Sequence, residues 1–401
     1  MINQYASTPN NGLGGRTHHL AREFAALGFR VYLIAARWHH YLIDRGEASQ
    51  APELEPVDGY TFVRLPVMDY EHAHDRKRIL NWFLFNVRLR QLSRMLPHAP
   101  DAVFYSSPSL IPFRGAARLA QCHRARLAFE VRDIWPLTLC QLGGYAPSHP
   151  AIRYMQWIED QAYRQADVAI SPLSNASEHM RARGLDPAKF LHVPNGFSDA
   201  ELADPDPLPK DVEQDLPRDK FVLGYVGTIG TANCIDTLLD AAARLRHRPD
   251  IAIRIVGQGQ ARNALIKRVA SEKLDAVSFV DAVPKRQVQS ALARFDAAYL
   301  GWHASPLYDF GISPNKLVDY MYAGLPVLHA YSGRGDPVAA AGFGLSVPAG
   351  DGAAVAAAAE RLADMSPVQR QRLGEIGHRV ACGSMEYGAL AASIAARLFP
   401  Q

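Results

Sequence analysis

Short apolar runs alternate with amphipathic stretches along the whole chain, in two successive series. In the first series, strand-like runs fall at 1–5, 30–36, 61–65, 102–106, 125–131, 168–171 and 190–193. Stretches with helical periodicity lie between them, at 16–28, 76–96, 109–123, 150–166 and 174–184. The second series repeats the scheme. Its strands are expected at 221–227, 252–256, 277–280, 297–301, 326–329 and 345–347, and its helices at 235–247, 260–273, 285–294, 315–323, 333–340, 352–364 and 367–380. Strand and helix in strict alternation predict βαβ units, hence an α/β fold with two parallel-sheet, Rossmann-like halves. Between the series, Pro205, Pro207, Pro209 and Pro217 stand among eight acids in 199–219, which predicts a solvated linker. The expected domains are therefore 1–197, a linker at 198–219, 220–384, and a closing amphipathic helix in 385–401.

Length and composition agree with two cored domains: 401 residues, 48% hydrophobic. No apolar run reaches the roughly 18 residues that a membrane-crossing helix needs, and no basic-then-apolar leader is visible, so neither a transmembrane helix nor a signal peptide is expected. Cys122, Cys140, Cys234 and Cys382 lie far apart, and read as small buried hydrophobes in a reducing cytosol. Charge separates the halves. Residues 1–197 carry 22 Lys and Arg against 17 Asp and Glu, whereas the rest carries 21 against 23, so an anionic partner is expected at the first half.

The segment with the most chemistry is Phe310-Gly311-Ile312-Ser313-Pro314-Asn315-Lys316-Leu317-Val318-Asp319-Tyr320-Met321, closed by Ala323-Gly324-Leu325-Pro326. A glycine loop ends in a turn, and a helix starts at Asn315 and Lys316. Helix N-termini carry partial positive charge, so backbone N–H groups and the Lys316 ammonium converge on an anion. A turn later, the Asp319 carboxylate is placed to accept the protons of two ribose hydroxyls. Together these features describe a nucleotide-diphosphate-sugar site. Other motifs precede it: Asn3-Gln4-Tyr5-Ala6, Gly14-Gly15-Arg16, Phe129-Glu130-Val131-Arg132-Asp133-Ile134-Trp135-Pro136, Val193-Pro194-Asn195-Gly196-Phe197, Gly224-Tyr225-Val226-Gly227-Thr228-Ile229-Gly230 and Ile255-Val256-Gly257-Gln258-Gly259.

In that order, these motifs resemble the retaining glycosyltransferases of family four, over nearly the whole chain. They are most similar to the subgroup that adds amino sugars, of N-acetylfucosamine type, in bacterial surface polysaccharide assembly. The resemblance implies the GT-B fold, with two Rossmann-like domains facing across a cleft, and a last helix that crosses back to the first domain. It implies a UDP-sugar donor, a lipid-diphosphate-linked saccharide acceptor, no cofactor, no metal and no nucleic-acid partner. Family members run a few more apolar residues before the first strand, so the start at Met1 is read as a clipped strand or a start internal to the gene.

Site residues follow from both sources. Gly14 and Gly15 form a strand-to-helix loop where a ligand can approach the backbone closely; in the family this loop faces the diphosphate and acceptor. Arg16 adds charge there or solvates the helix start. Arg132 and Asp133 follow a buried strand, at a corner where many relatives have a His. Asp133 takes the acceptor proton or steers its sugar, and Arg132 grips a phosphate or carboxylate; the alternative is a local ion pair with Asp133 as a cap. Glu130 points to the other strand face. The family's two diphosphate cations align with Thr228 and Asn233, so both are missing, and Lys316 is expected to replace them with the N–H groups of Thr228, Ile229 and Gly230. Arg262 contributes charge or is simply solvated. Asp319 matches the ribose-binding acid, and Asp309 is the candidate contact to the donor sugar, whose ring the backbone of Phe310, Gly311 and Ile312 holds. Ala282 and Val283 align with main-chain contacts to the base, and Asn315 opens the helix.

The stretch from Arg76 to Arg94 has bases flanking Trp82, Phe83 and Phe85. It reads as a helix lying on an anionic membrane surface, at the inner face of the cytoplasmic membrane, or as an ordinary helix packed on the sheet. Two other functions remain open: a nucleotide-sugar epimerase of the same architecture, and a binding subunit without chemistry. Gly257-Gln258-Gly259-Gln260-Ala261-Arg262 lacks the third glycine of a dinucleotide fingerprint, which counts against an oxidoreductase.

Overall fold

The computed structural model describes residues 1–12, 14–44, 51–70, 75–217 and 219–400. It divides into two compact units, Met1–Pro194 with Tyr387–Gln401, and Asn195–Glu386.

The first unit is built on β1 (Tyr32–Ala36), β2 (Glu53–Val57), β3 (Tyr60–Leu65), β4 (Ala102–Ser106), β5 (Arg126–Glu130), β6 (Val168–Ser171) and β7 (Phe190–His192). Strands β4 to β7 pair in sequence order, all parallel. The residues of β4, β5 and β6 are mostly buried on both faces, which is why these strands read as apolar runs. β3 pairs in parallel with β1 and antiparallel with β2. β2 was not legible in the sequence: Glu53, Glu55 and Pro56 disguise an edge strand, and such edges tolerate charge and proline. The expected first strand at 1–5 is reduced to a bridge at Ile2, which joins Ile34 of β1 to Tyr105 of β4. Asn3 ends it. Its Oδ1 accepts the Tyr5 N–H at 2.8 Å and its carbonyl accepts the Ala6 N–H, turning the chain out of the sheet.

The helix Arg16–Ala26 buries Leu20 and Phe24 against Leu33, Phe62, Phe104 and Ile170. The same core takes Tyr387, Leu390, Ile394 and Leu398 from the final helix Tyr387–Leu398, whose Tyr387 ring stacks on His19 with centroids 4.8 Å apart. Each such side chain contributes roughly 1.5–3 kcal/mol of burial, so the last fifteen residues are part of the first unit. The helical stretch at 76–96 is broken into Lys77–Arg88, a 3-10 turn at Leu89–Gln91 and Leu92–Met95.

The second unit has one parallel sheet of β8 (Phe221–Val226), β9 (Ile251–Val256), β10 (Val277–Val280), β11 (Ala297–Gly301), β12 (Val327–Ala330) and β13 (Gly344–Val347), in the order β10-β9-β8-β11-β12-β13. Two apolar layers cover its faces. The stretch 198–219 is not a solvated linker. It forms the short helices Asp199–Leu202 and Lys210–Gln214, and Leu202 and Leu216 are buried with Val222 and Leu292. The acids that made it look soluble are used locally: Glu213 pairs with Arg294 at 2.6 Å and Asp206 with Arg286 at 3.2 Å.

Candidate functional site

In the second unit, β8 and β9 end in loops that touch. A Cβ on Gly257 would come within 2.0 Å of the Gly227 carbonyl oxygen, so only glycine lets the two turns approach this closely. Above them the helix Asn315–Tyr322 begins, and Lys316 reaches back into the first loop. Its Nζ donates to Tyr225 Oη at 2.8 Å and to Asn233 Oδ1 at 2.5 Å, and lies 4.5 Å from the Tyr225 ring centroid. Tyr225 Oη and Asn233 Nδ2 both donate in turn to the Thr228 carbonyl. Among the described residues, no carboxylate lies within ion-pair distance of Lys316. Burial lowers its pKa to about 8, as expected for an ammonium given only neutral acceptors.

The expected phosphate cradle is altered at Ile229. Its N–H donates to the Gln258 carbonyl at 2.8 Å and its side chain is buried, so it is not a free donor. Thr228 and Gly230 frame the loop on either side. Arg262 pairs with Asp281 at 2.9 Å, beside Gln258, so its charge is already engaged. Asp319, one turn past Lys316, is held by Lys285 at 2.6 Å. Ala282 and Val283 lie between β10 and the 3-10 turn that Lys285 opens. Asp309 and Phe310 end a 3-10 turn, followed by Gly311 at φ 95° and then Ile312. Tyr331 Oη fastens that turn by donating to the Tyr308 carbonyl at 2.6 Å. Tyr331 is itself stacked on His329, whose Nε2 accepts from Trp302 and whose Nδ1–H therefore donates to Asp336. Ser313 is tied to Asn195, whose N–H donates to Ser313 Oγ at 2.8 Å. Asn315 is exposed at the helix start.

In the first unit, Gly14 and Gly15 have φ of 64° and 74°, and Gly15 caps the helix Arg16–Ala26. Arg16 neither solvates that helix nor offers charge to a ligand. It is buried, pairs with Glu130 at 2.8 Å, and donates to the Val193 and Pro194 carbonyls. Glu130 also accepts from Ser106 Oγ at 2.6 Å; burial raises its pKa, but Arg16, Arg132 and Ser106 outweigh that and hold it low. Arg132 and Asp133 form no ion pair with each other; the Arg132 N–H donates to Ser107 Oγ. The Asp133 carboxylate is solvent-accessible, yet surrounding protein raises its pKa against the pull of Arg132. Trp82 meets Trp135 edge-on at 5.7 Å and donates to Tyr5 Oη at 2.8 Å. Trp82 and Phe85 thus belong to the packed face of the helix Lys77–Arg88, not to a membrane face. The exposed face is Ile79, Leu80, Phe83 and Val87, each 44–55% accessible.

Lys285, Tyr225 and Asn233 were missed by sequence reasoning. The signal for Tyr225 was a hydroxyl near the carboxyl end of an apolar strand; Lys285 carried no signal beyond a base at a helix start. Among the described residues, no three His, Cys, Asp or Glu side chains cluster as a metal site would require, and no helix is long and apolar enough to cross a membrane.

Two Rossmann-like parallel-sheet domains in one chain define the GT-B fold, and the protein is a hexosyltransferase-type glycosyltransferase. It belongs to the group 1, 4-like glycosyltransferases: residues 11–196 match the glycosyl transferase 4-like domain and residues 220–365 match glycosyl transferases group 1. A putative colanic acid biosynthesis glycosyl transferase, WcaI of Escherichia coli K12, is 25% identical over 291 residues, covering 68% of this chain and 70% of WcaI. Among solved structures, sucrose-phosphate synthase from Thermosynechococcus elongatus superposes with a TM-score of 0.73 at 18% identity, covering 98% of this chain and 96% of that one. "Trehalose-6-phosphate from E. coli bound with UDP-2-fluoro glucose" gives a TM-score of 0.75 at 13% identity, covering 99% and 98%.

Proposed function

We propose that this enzyme transfers a sugar from a UDP-sugar to a lipid-diphosphate-linked saccharide, with retention of anomeric configuration, in surface polysaccharide assembly. The observation that carries the reading is Lys316: a part-buried ammonium at a helix N-terminus, with hydroxyl and amide oxygens around it and no carboxylate among the described residues. A site built so is completed by an anion. The UDP-2-fluoro glucose in one structural relative supports a UDP-sugar as that anion, and the likeness to WcaI supports polysaccharide assembly; an amino-sugar donor of N-acetylfucosamine type rests on the motif resemblance alone.

In this reading Lys316 stabilises the charge that develops on the leaving diphosphate. The bond between the anomeric carbon and UDP breaks through an oxocarbenium-like state, the acceptor oxygen bonds to the same face, and its proton passes to a diphosphate oxygen. Asp133 steers the acceptor hydroxyl, and Arg132 holds an acceptor phosphate. A lipid-linked acceptor requires the enzyme to work at a bilayer. The outward apolar row Ile79, Leu80, Phe83 and Val87, with Arg76, Lys77, Arg90 and Arg94 near its ends, supports peripheral attachment to the inner face of the cytoplasmic membrane.

The test is a thermal-shift panel of nucleotides and UDP-sugars, followed by assay of UDP release with lipid-diphosphate saccharides. The reading expects UDP and one UDP-amino sugar to stabilise most, and UDP release to depend on the acceptor. Epimer formation from a UDP-sugar alone, without acceptor, would replace it with the isomerase reading.

A further inference from the structure

Lys285 has no part in the function proposed above, yet it is the residue that meets Asp319. Its Nζ lies 2.6 Å from Asp319 Oδ1, and the two residues come from segments 34 positions apart. The lysine is 42% exposed and the aspartate side chain 15%, so the pair adds little to stability by itself. The backbone beneath it is fixed: Gln289 Nε2 donates to the Asp319 carbonyl at 3.2 Å. Lys285 also follows Ala282 and Val283 by only two to three residues.

A ribose hydroxyl is both a donor and an acceptor. A carboxylate takes its proton but leaves its lone pairs unmet. An ammonium carries three N–H donors; among the described residues, Asp319 is the one side-chain partner of Lys285. We infer that Lys285 and Asp319 together read the ribose 2′,3′-diol of the donor nucleotide. Asp319 accepts from the hydroxyls, while Lys285 orients that carboxylate and donates to a hydroxyl oxygen. This rests on the nucleotide-sugar reading and adds a specificity residue to it, since a site that hydrogen-bonds a hydroxyl rejects ligands that lack it.

The experiment is calorimetric titration of the full chain, and of K285M and K285R, with UDP and with 2′,3′-dideoxy-UDP. The wild type is expected to prefer UDP by at least about tenfold. K285M should weaken UDP binding while leaving dideoxy-UDP unchanged, so that the preference collapses, and K285R should restore part of it. Equal weakening of both ligands would mean that the lysine serves the phosphates. That result, or no change at all, overturns the ribose role and leaves the nucleotide reading intact. Failure of the wild type to bind either ligand overturns both.

Discussion

Lys316 Nζ rests 2.5 Å from Asn233 Oδ1, so a charged donor is held by an uncharged partner at the position where relatives are expected to carry a cation. The loop after β8 offers Asn233 there, and the ammonium comes from Lys316 on the helix Asn315–Tyr322. Asn233 and Tyr225 orient that charge without neutralising it, and burial leaves the ammonium with a pKa of about 8.

Donor affinity should therefore fall as pH rises through about 8, where Lys316 loses its proton. A bound diphosphate favours the protonated lysine, so binding near pH 9 should take up a proton. Titrations in two buffers of different ionisation enthalpy read this directly. K316R, ionised throughout this range, should abolish the dependence.

The same group acts on stability with the opposite sign. Its folded pKa lies below the ordinary 10.5, so between about 8 and 10.5 the unfolded chain binds more protons. The contribution of Lys316 to stability thus improves as pH rises through that window. Comparing the pH dependence of denaturant midpoints for wild type and K316M isolates it; identical curves would contradict the burial argument.

Asp133→Asn should slow transfer by up to about 10²-fold while leaving UDP affinity unchanged, since the carboxylate is assigned to steering the acceptor hydroxyl. Steady-state assay and calorimetry on the same protein check both halves. Unaltered turnover would reassign Asp133 to a structural role.

Arg16 and Glu130 form a fully buried pair, so removing one partner strands a charge. Glu130→Ala should cost about 3–5 kcal/mol, and a combined Arg16→Met, Glu130→Leu variant should recover much of it. Chemical denaturation measures both.

Replacing Leu80 and Phe83 by Glu should abolish sedimentation with anionic vesicles and change stability by less than about 0.5 kcal/mol, as for exposed positions. Retained binding would remove this helix face from the membrane account.

What the sequence disclosed, and what it hid, has a physical pattern. Buried parallel strands are apolar on both faces, so β5, β6 and β8 stood out as runs. β2 did not, because an edge strand is free to carry acids and proline. The stretch 198–219 was read as a linker because its prolines and acids dominate composition, while the two leucines that anchor it, Leu202 and Leu216, are too few to register. Lys316 and Asp319 were legible because a turn and a helix place them locally. Their partners Asn233, Tyr225 and Lys285 were not, since those contacts join segments 83, 91 and 34 residues apart. Arg16 failed for the same reason: its role depends on Glu130, 114 residues away.

The most direct test of the account is calorimetric binding of UDP and UMP to wild type and K316A. If the Lys316 ammonium holds the terminal phosphate, the wild type will bind UDP at least about tenfold more tightly than UMP, a difference of about 1.4 kcal/mol, and K316A will bind the two alike. A K316A variant that keeps the full preference for UDP would contradict it.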